Sequence, residues 1–134
     1  MQNTLDIEKP HISLTDILNG LIAISCQKLR ERKKPESLTY GHFFEGMHSL
    51  ASNPRFKDYL QYLDFRVIGD SHCSKALGDY LFQAGTWGFI QTGHEITVPE
   101  DQARRRITDL EKKYGQQVIL LLDSMSEELL RQHN

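Results

Sequence analysis

Two cysteines in 134 residues, Cys26 and Cys73, are too few for a disulfide framework, so a reducing, cytoplasmic setting is expected. No apolar run approaches the roughly 20 residues that span a bilayer, and no N-terminal apolar run reads as a signal peptide. A membrane partner is therefore not expected. Surplus positive charge is also missing. Sixteen Lys and Arg stand against 18 Asp and Glu, a formal net charge of −2. That balance argues against a protein held to nucleic acid mainly by bulk electrostatics. Neither an internal repeat nor a low-complexity tract is present.

What remains is the composition of an ordinary globular domain, 39% apolar and 25% charged. At 15.5 kDa the chain is long enough to bury a real core. Residues 1–12 carry no periodicity and include Pro10, and read as a flexible N-terminal arm. Residues 13–134 read as one globular domain.

Ser13 is placed to cap a helix, followed by apolar residues at Leu14, Ile17, Leu18, Leu21, Ile22 and Leu29. Pro35 sets its expected end near Lys34. Thr39 caps a second helix whose apolar face is Tyr40, Phe43, Phe44, Met47, Leu50 and Ala51. Asn53-Pro54 closes that helix and opens a third, with Phe56, Tyr59, Leu60 and Leu63 on its inner face. Asp64–Gly69 reads as a short strand, and Gly69-Asp70-Ser71 as a turn. After Pro99 the residues Ala103, Ile107, Leu110, Tyr114, Val118, Leu121, Met125 and Leu129 hold one helical phase across Gly115. One long C-terminal helix, or two nearly collinear ones, is expected.

Between these lies Ser74–Val98, around which the chain is organised. At about 100° per residue, Cys73, Ala76, Leu77, Tyr80, Leu81, Ala84 and Trp87 share one arc. Lys75, Gly78, Asp79, Phe82, Gln83 and Thr86 face the other way. Ser74 is an N-cap, and Gly85 or Gly88 can stop the helix. Two short strands follow around Thr92-Gly93, where glycine supports a tight hairpin. This helix and hairpin resemble the recognition helix and wing of a winged-helix domain. The resemblance implies a mostly α fold with a small β-hairpin and a winged-helix-like centre, completed by a long C-terminal helix. It also implies a strand near Asp64–Gly69 that pairs with the hairpin, and it leaves function open.

The residue types that could carry chemistry do not assemble into a convincing centre. Asp70-Ser71-His72-Cys73 holds the makings of nucleophile, base and acid, but adjacent residues rarely converge as catalysis requires. His42, Glu45 and His48, three apart, leave the two histidines about 120° apart on a helix, and the zinc pattern of histidines four apart is absent. No catalytic, cofactor or metal residue is assigned, and an enzyme ranks third among the functional readings.

Two binding readings rank above it. A protein-interaction module, adaptor or accessory subunit would use Phe82 and Trp87, with Ile119, Leu122 and Leu130 facing a partner or a second copy if the apolar C-terminal helix is not itself a central helix of the core. A DNA-binding regulator would use the hairpin with two basic clusters: Lys28, Arg30, Arg32, Lys33 and Lys34, then Arg104, Arg105 and Arg106. The outward face of the central helix favours the first, because Asp79 would meet the negative field of a groove and Phe82 suits a protein contact.

Overall fold

The computed structural model describes residues 11–32, 38–87, 91–92 and 95–131. Nearly all of the expected N-terminal arm lies outside them, as do Lys33, Lys34, Gly88 and Gly93. In chain order the elements are α1 (Leu14–Arg30), β1 (Leu38–Thr39), α2 (Tyr40–Ser52), α3 (Lys57–Leu60) with a 3-10 turn over Gln61–Leu63, β2 (Arg66–Ile68), β3 (Ser71–Cys73), α4 (Lys75–Thr86), β4 (Gln91–Thr92), β5 (Glu95–Thr97), α5 (Glu100–Tyr114) and α6 (Gln116–Arg131). The fold is mostly helical with a small antiparallel hairpin and a long C-terminal helix, as the periodicity implies.

Three helices begin where a hydroxyl can satisfy a first-turn amide. Ser13 accepts from Asp16 N at 3.1 Å, Thr39 from His42 N at 3.2 Å and Ser74 from Leu77 N at 3.1 Å. α1 stops at Arg30, short of Lys34, and Glu31 shares its N–H between the Gln27 and Lys28 carbonyls at 3.2 Å each. Asn53 ends α2 and organises the next turn. Its carbonyl accepts from Phe56 N and Lys57 N, both at 2.9 Å, so α3 starts three residues later than Pro54 implies.

The central helix of the core is α1. Its residues 17 to 26 are buried without interruption, so every side of it is covered. The C-terminal segment does not occupy that place. It folds around α1 instead, with α5 and α6 both packed along it. Gly115 adopts φ 94° and ψ 176°, a region that is nearly glycine-only, and this breaks the expected continuous helix. The two helices are not collinear either. A Cβ on residue 20 would sit 2.5 Å from Leu122 Cδ1 and 3.0 Å from Leu110 Cδ1. In one straight helix those leucines would be about 18 Å apart along the axis. The glycine at position 20 lets both helices close on α1.

Among the described residues two separate sheets complete the fold. β1, β5 and β4 form an antiparallel sheet in that order, with Leu38 opposite Ile96 and Thr92 opposite Ile96 on the other side. The Cys26 thiol donates to the Ile96 carbonyl at 3.8 Å and ties this sheet to α1. Burial pushes that thiol up to about 11. The strand expected near Asp64–Gly69 forms as β2, but it pairs with β3 and not with the β4–β5 hairpin. The strand that joins the hairpin is β1, from before α2.

Candidate functional site

Among the described residues, the surface around β2, β3 and α4 stands apart in its apolar exposure. Tyr62 is 75% exposed, Val67 68%, Ile68 66%, Phe82 78% and Trp87 61%. Among the described residues only Leu120 joins them as a large hydrophobic residue left open to water. Between the 3-10 turn, the hairpin and α4 lies a groove of about 760 Å³, with Tyr62, Ile68 and Phe44 on its apolar walls and Arg66, Lys75 and Asp79 at its polar margin. Apolar surface gathered on neighbouring elements marks a binding face more often than a solvated one.

Local physics explains the shape of this face. The 3-10 turn ends at Asp64, which takes a left-handed φ of 50° and redirects the chain into β2. Gly69 at φ 64° then supplies the positive φ of a two-residue hairpin loop. Ser74 anchors the start of α4 by donating its hydroxyl to the Leu63 carbonyl while it caps the helix. Deeper in the helix, Tyr80 donates its hydroxyl to Asn19 of α1, and its burial pushes the phenol well above its ordinary range. With Leu77, Tyr80, Leu81 and Ala84 turned inward, Asp79, Phe82, Gln83 and Thr86 face water. Ala76 and Trp87 depart from the expected inner arc and are exposed.

The face is close to electrically neutral. Lys75 pairs with Asp79 at 3.0 Å, and Arg66 pairs with Asp64 at 3.5 Å. On the far side of the hairpin, Glu45 accepts the His72 main-chain N–H at 2.9 Å and lies 2.8 Å from its Nδ1. The main-chain N–H first, and the ring second, hold the Glu45 carboxyl below its ordinary value. His48 stacks on His72 with ring centres 3.7 Å apart, and Phe65 meets His48 edge-on. Sequence spacing put Glu45 and His48 on one helix but carried no sign that they meet His72 and Phe65, which lie outside α2 and well along the chain.

The other expected site residues are dispersed. Leu122 and Leu130 are buried within the chain itself, because α6 turns them toward α1 and α2, and they are not interface residues. Ile119 is half-buried against the same core. Lys28 does not offer a cation to a phosphate: Asp123 and Glu127 of α6 hold it at 2.9 and 2.5 Å. Arg104 pairs with Glu100 one turn earlier. Arg30 donates to Gln27 at 2.6 Å. Arg32 and Arg106 are half-buried, and Arg105 is exposed. Among the described residues of the two basic clusters, Lys28 and Arg104 are thus engaged by carboxylates of the chain itself, while Lys33 and Lys34 lie outside the described residues.

The chemistry-bearing motifs likewise stay apart. On β3, Ser71 and Cys73 point to one side of the hairpin and His72 to the other, so no nucleophile–base pair forms there. Of His42, Glu45 and His48, the last two meet His72 while His42 stands exposed. Among the described residues no group of three metal-ligating side chains is arranged to hold an ion, and no helix is long and apolar enough to cross a membrane. Comparison of the chain with family models, curated proteins and solved structures returns no match.

Proposed function

We propose that this chain is a non-enzymatic protein-interaction module, an adaptor or accessory subunit of a larger assembly in the cytoplasm. It works through the exposed apolar side chains carried by the 3-10 turn, β2 and α4: Tyr62, Val67, Ile68, Phe82 and Trp87. The observation that carries this reading is the grouping of those five exposed apolar side chains within 26 residues, beside a groove whose charges are paired internally. Leaving such side chains in water costs about 25 cal/mol per Å² of apolar surface relative to burying them, which a partner would recover. The test is capture of a partner by the tagged full-length chain in its own cells. Phe82→Ser with Trp87→Ser is expected to abolish capture while thermal stability is unchanged. A chain that sediments as a monomer at high concentration and captures nothing would refute the reading.

A second reading, a winged-helix DNA-binding regulator, draws support from the strand order β1–β5–β4, with α4 directly before β4 in the chain, and from the exposed Arg30 and Arg105. It predicts retention of duplex DNA at low salt with a steep salt dependence, weakened by Arg104→Ala with Arg105→Ala. The pairing of Lys75 with Asp79 on the outer face of α4 counts against it.

A further inference from the structure

We propose that the outer edge of β2 accepts an extended segment of a partner protein as a third strand of the β2–β3 sheet. This rests on the interaction-module reading and adds the conformation and chemistry of what is bound.

The register determines which main-chain groups are available. Ile68 faces Ser71 across the two-residue loop, and Arg66 faces Cys73, so these pairs exchange the hydrogen bonds within the hairpin. Val67 and His72 form the intervening non-hydrogen-bonded pair, and their N–H and C=O groups point outward on opposite edges. On the β3 edge that position is taken, because the His72 N–H donates to Glu45 at 2.9 Å. On the β2 edge the sheet ends, and among the described residues no strand lies beyond it. Val67 therefore presents a donor and an acceptor to solvent from a strand whose side chains are all exposed.

Edges of this kind are usually blunted by charge, proline or a covering element. Here the outward-directed residue is Val67, its neighbour is Ile68, and the one charged residue of the strand, Arg66, is drawn back to Asp64. A strand added about 4.8 Å from β2 would send alternate side chains over Ile68 into the groove beside α4, and the others over Val67. With the groove's two cations each paired to an acid, the occupant is an uncharged segment with β-branched or aromatic residues at alternate positions. A phosphate-bearing ligand would find no free cation there. A second copy of this chain fits less well. Antiparallel self-pairing centred on Val67 sets Asp64 opposite Asp70 of the other copy twice, and like charges across a ladder are destabilising.

The experiment selects ten-residue peptides from a displayed random library on the full chain and resynthesises the best binders with N-methyl groups on every second amide, in each of the two phases. The expected result is that one phase loses about tenfold or more in affinity and the other does not, as removal of main-chain hydrogen bonds along one edge requires. The Val67 amide exchanges more slowly in the complex. Peptides that bind equally in both phases, with Val67 exchange unchanged, overturn strand addition and leave the interaction-module reading standing. Failure to select any binder overturns it too. A dimer of the chain alone that protects Val67 assigns the edge to a second copy and overturns the partner strand.

Discussion

The Glu45 carboxylate joins α2 to the β2–β3 hairpin by receiving two groups of one residue, the His72 main-chain N–H at 2.9 Å and the His72 ring nitrogen at 2.8 Å. It thereby caps one edge of a two-stranded sheet that is too small to be stable alone. Glu45→Ala is expected to speed hydrogen exchange at the His72 amide about tenfold, while amides within α1 are unaffected. Unchanged protection at His72 would show that the hairpin is held by its other contacts.

Gly115 separates two opposite expectations. Within a continuous helix, Gly115→Ala would raise stability by about 1 kcal/mol. At φ 94° and ψ 176° the same substitution forces a Cβ into a conformation costing about 1–3 kcal/mol. Urea unfolding is expected to show the loss, with an unchanged denaturant slope.

Asp16 bridges the start of α1 to the end of α5. It accepts from the Tyr114 hydroxyl at 2.5 Å and from Lys113 at 3.1 Å. Partial burial raises its carboxyl, but the Tyr114 and Lys113 hydrogen bonds outweigh this and leave it below the ordinary value of 3.8. A carboxyl lowered on folding stabilises the native state above its unfolded value, and that contribution is lost as pH falls through the folded value. Asp16→Asn is therefore expected to cost about 1–2 kcal/mol at pH 7. The gap to the parent chain should hold down to pH 3.8 and close below it, as measured by thermal unfolding across pH 2 to 7.

Phe82 and Leu122 were equivalent as sequence-based interface candidates and stand at opposite extremes of burial, 78% and 0% exposed. Leu122→Ala is expected to cost about 2–5 kcal/mol through the cavity it leaves. Phe82→Ala should change stability by about 0.5 kcal/mol or less, and its effect should appear in partner capture.

Most helices were legible because their signals are local. Ser13, Thr39 and Ser74 each precede an apolar period of three and four and each caps the helix that follows. The β1–β5 pairing was not legible, since Leu38 and Ile96 are far apart in sequence and neither carries a local sign of the other. The bend at Gly115 was hidden for a different reason. Both α5 and α6 turn their apolar sides to the same helix, so hydrophobic phase continues through a backbone that does not. Of the candidate site, Phe82 was legible as an outward residue of α4. The exposure of Val67 and Ile68 was not, because a short apolar strand reads the same whether its faces are covered or open.

The position of α1 under α5 and α6 has a consequence for synthesis. Lys28 meets Glu127 across 99 residues, and Asp16 meets Tyr114 across 98. During translation α1 leaves the ribosome with its apolar surface uncovered, and α5 and α6, which cover it, are made only after the other described elements. The core around α1 therefore cannot close until α5 and α6 have been made, and until then its apolar surface is open to non-native contacts.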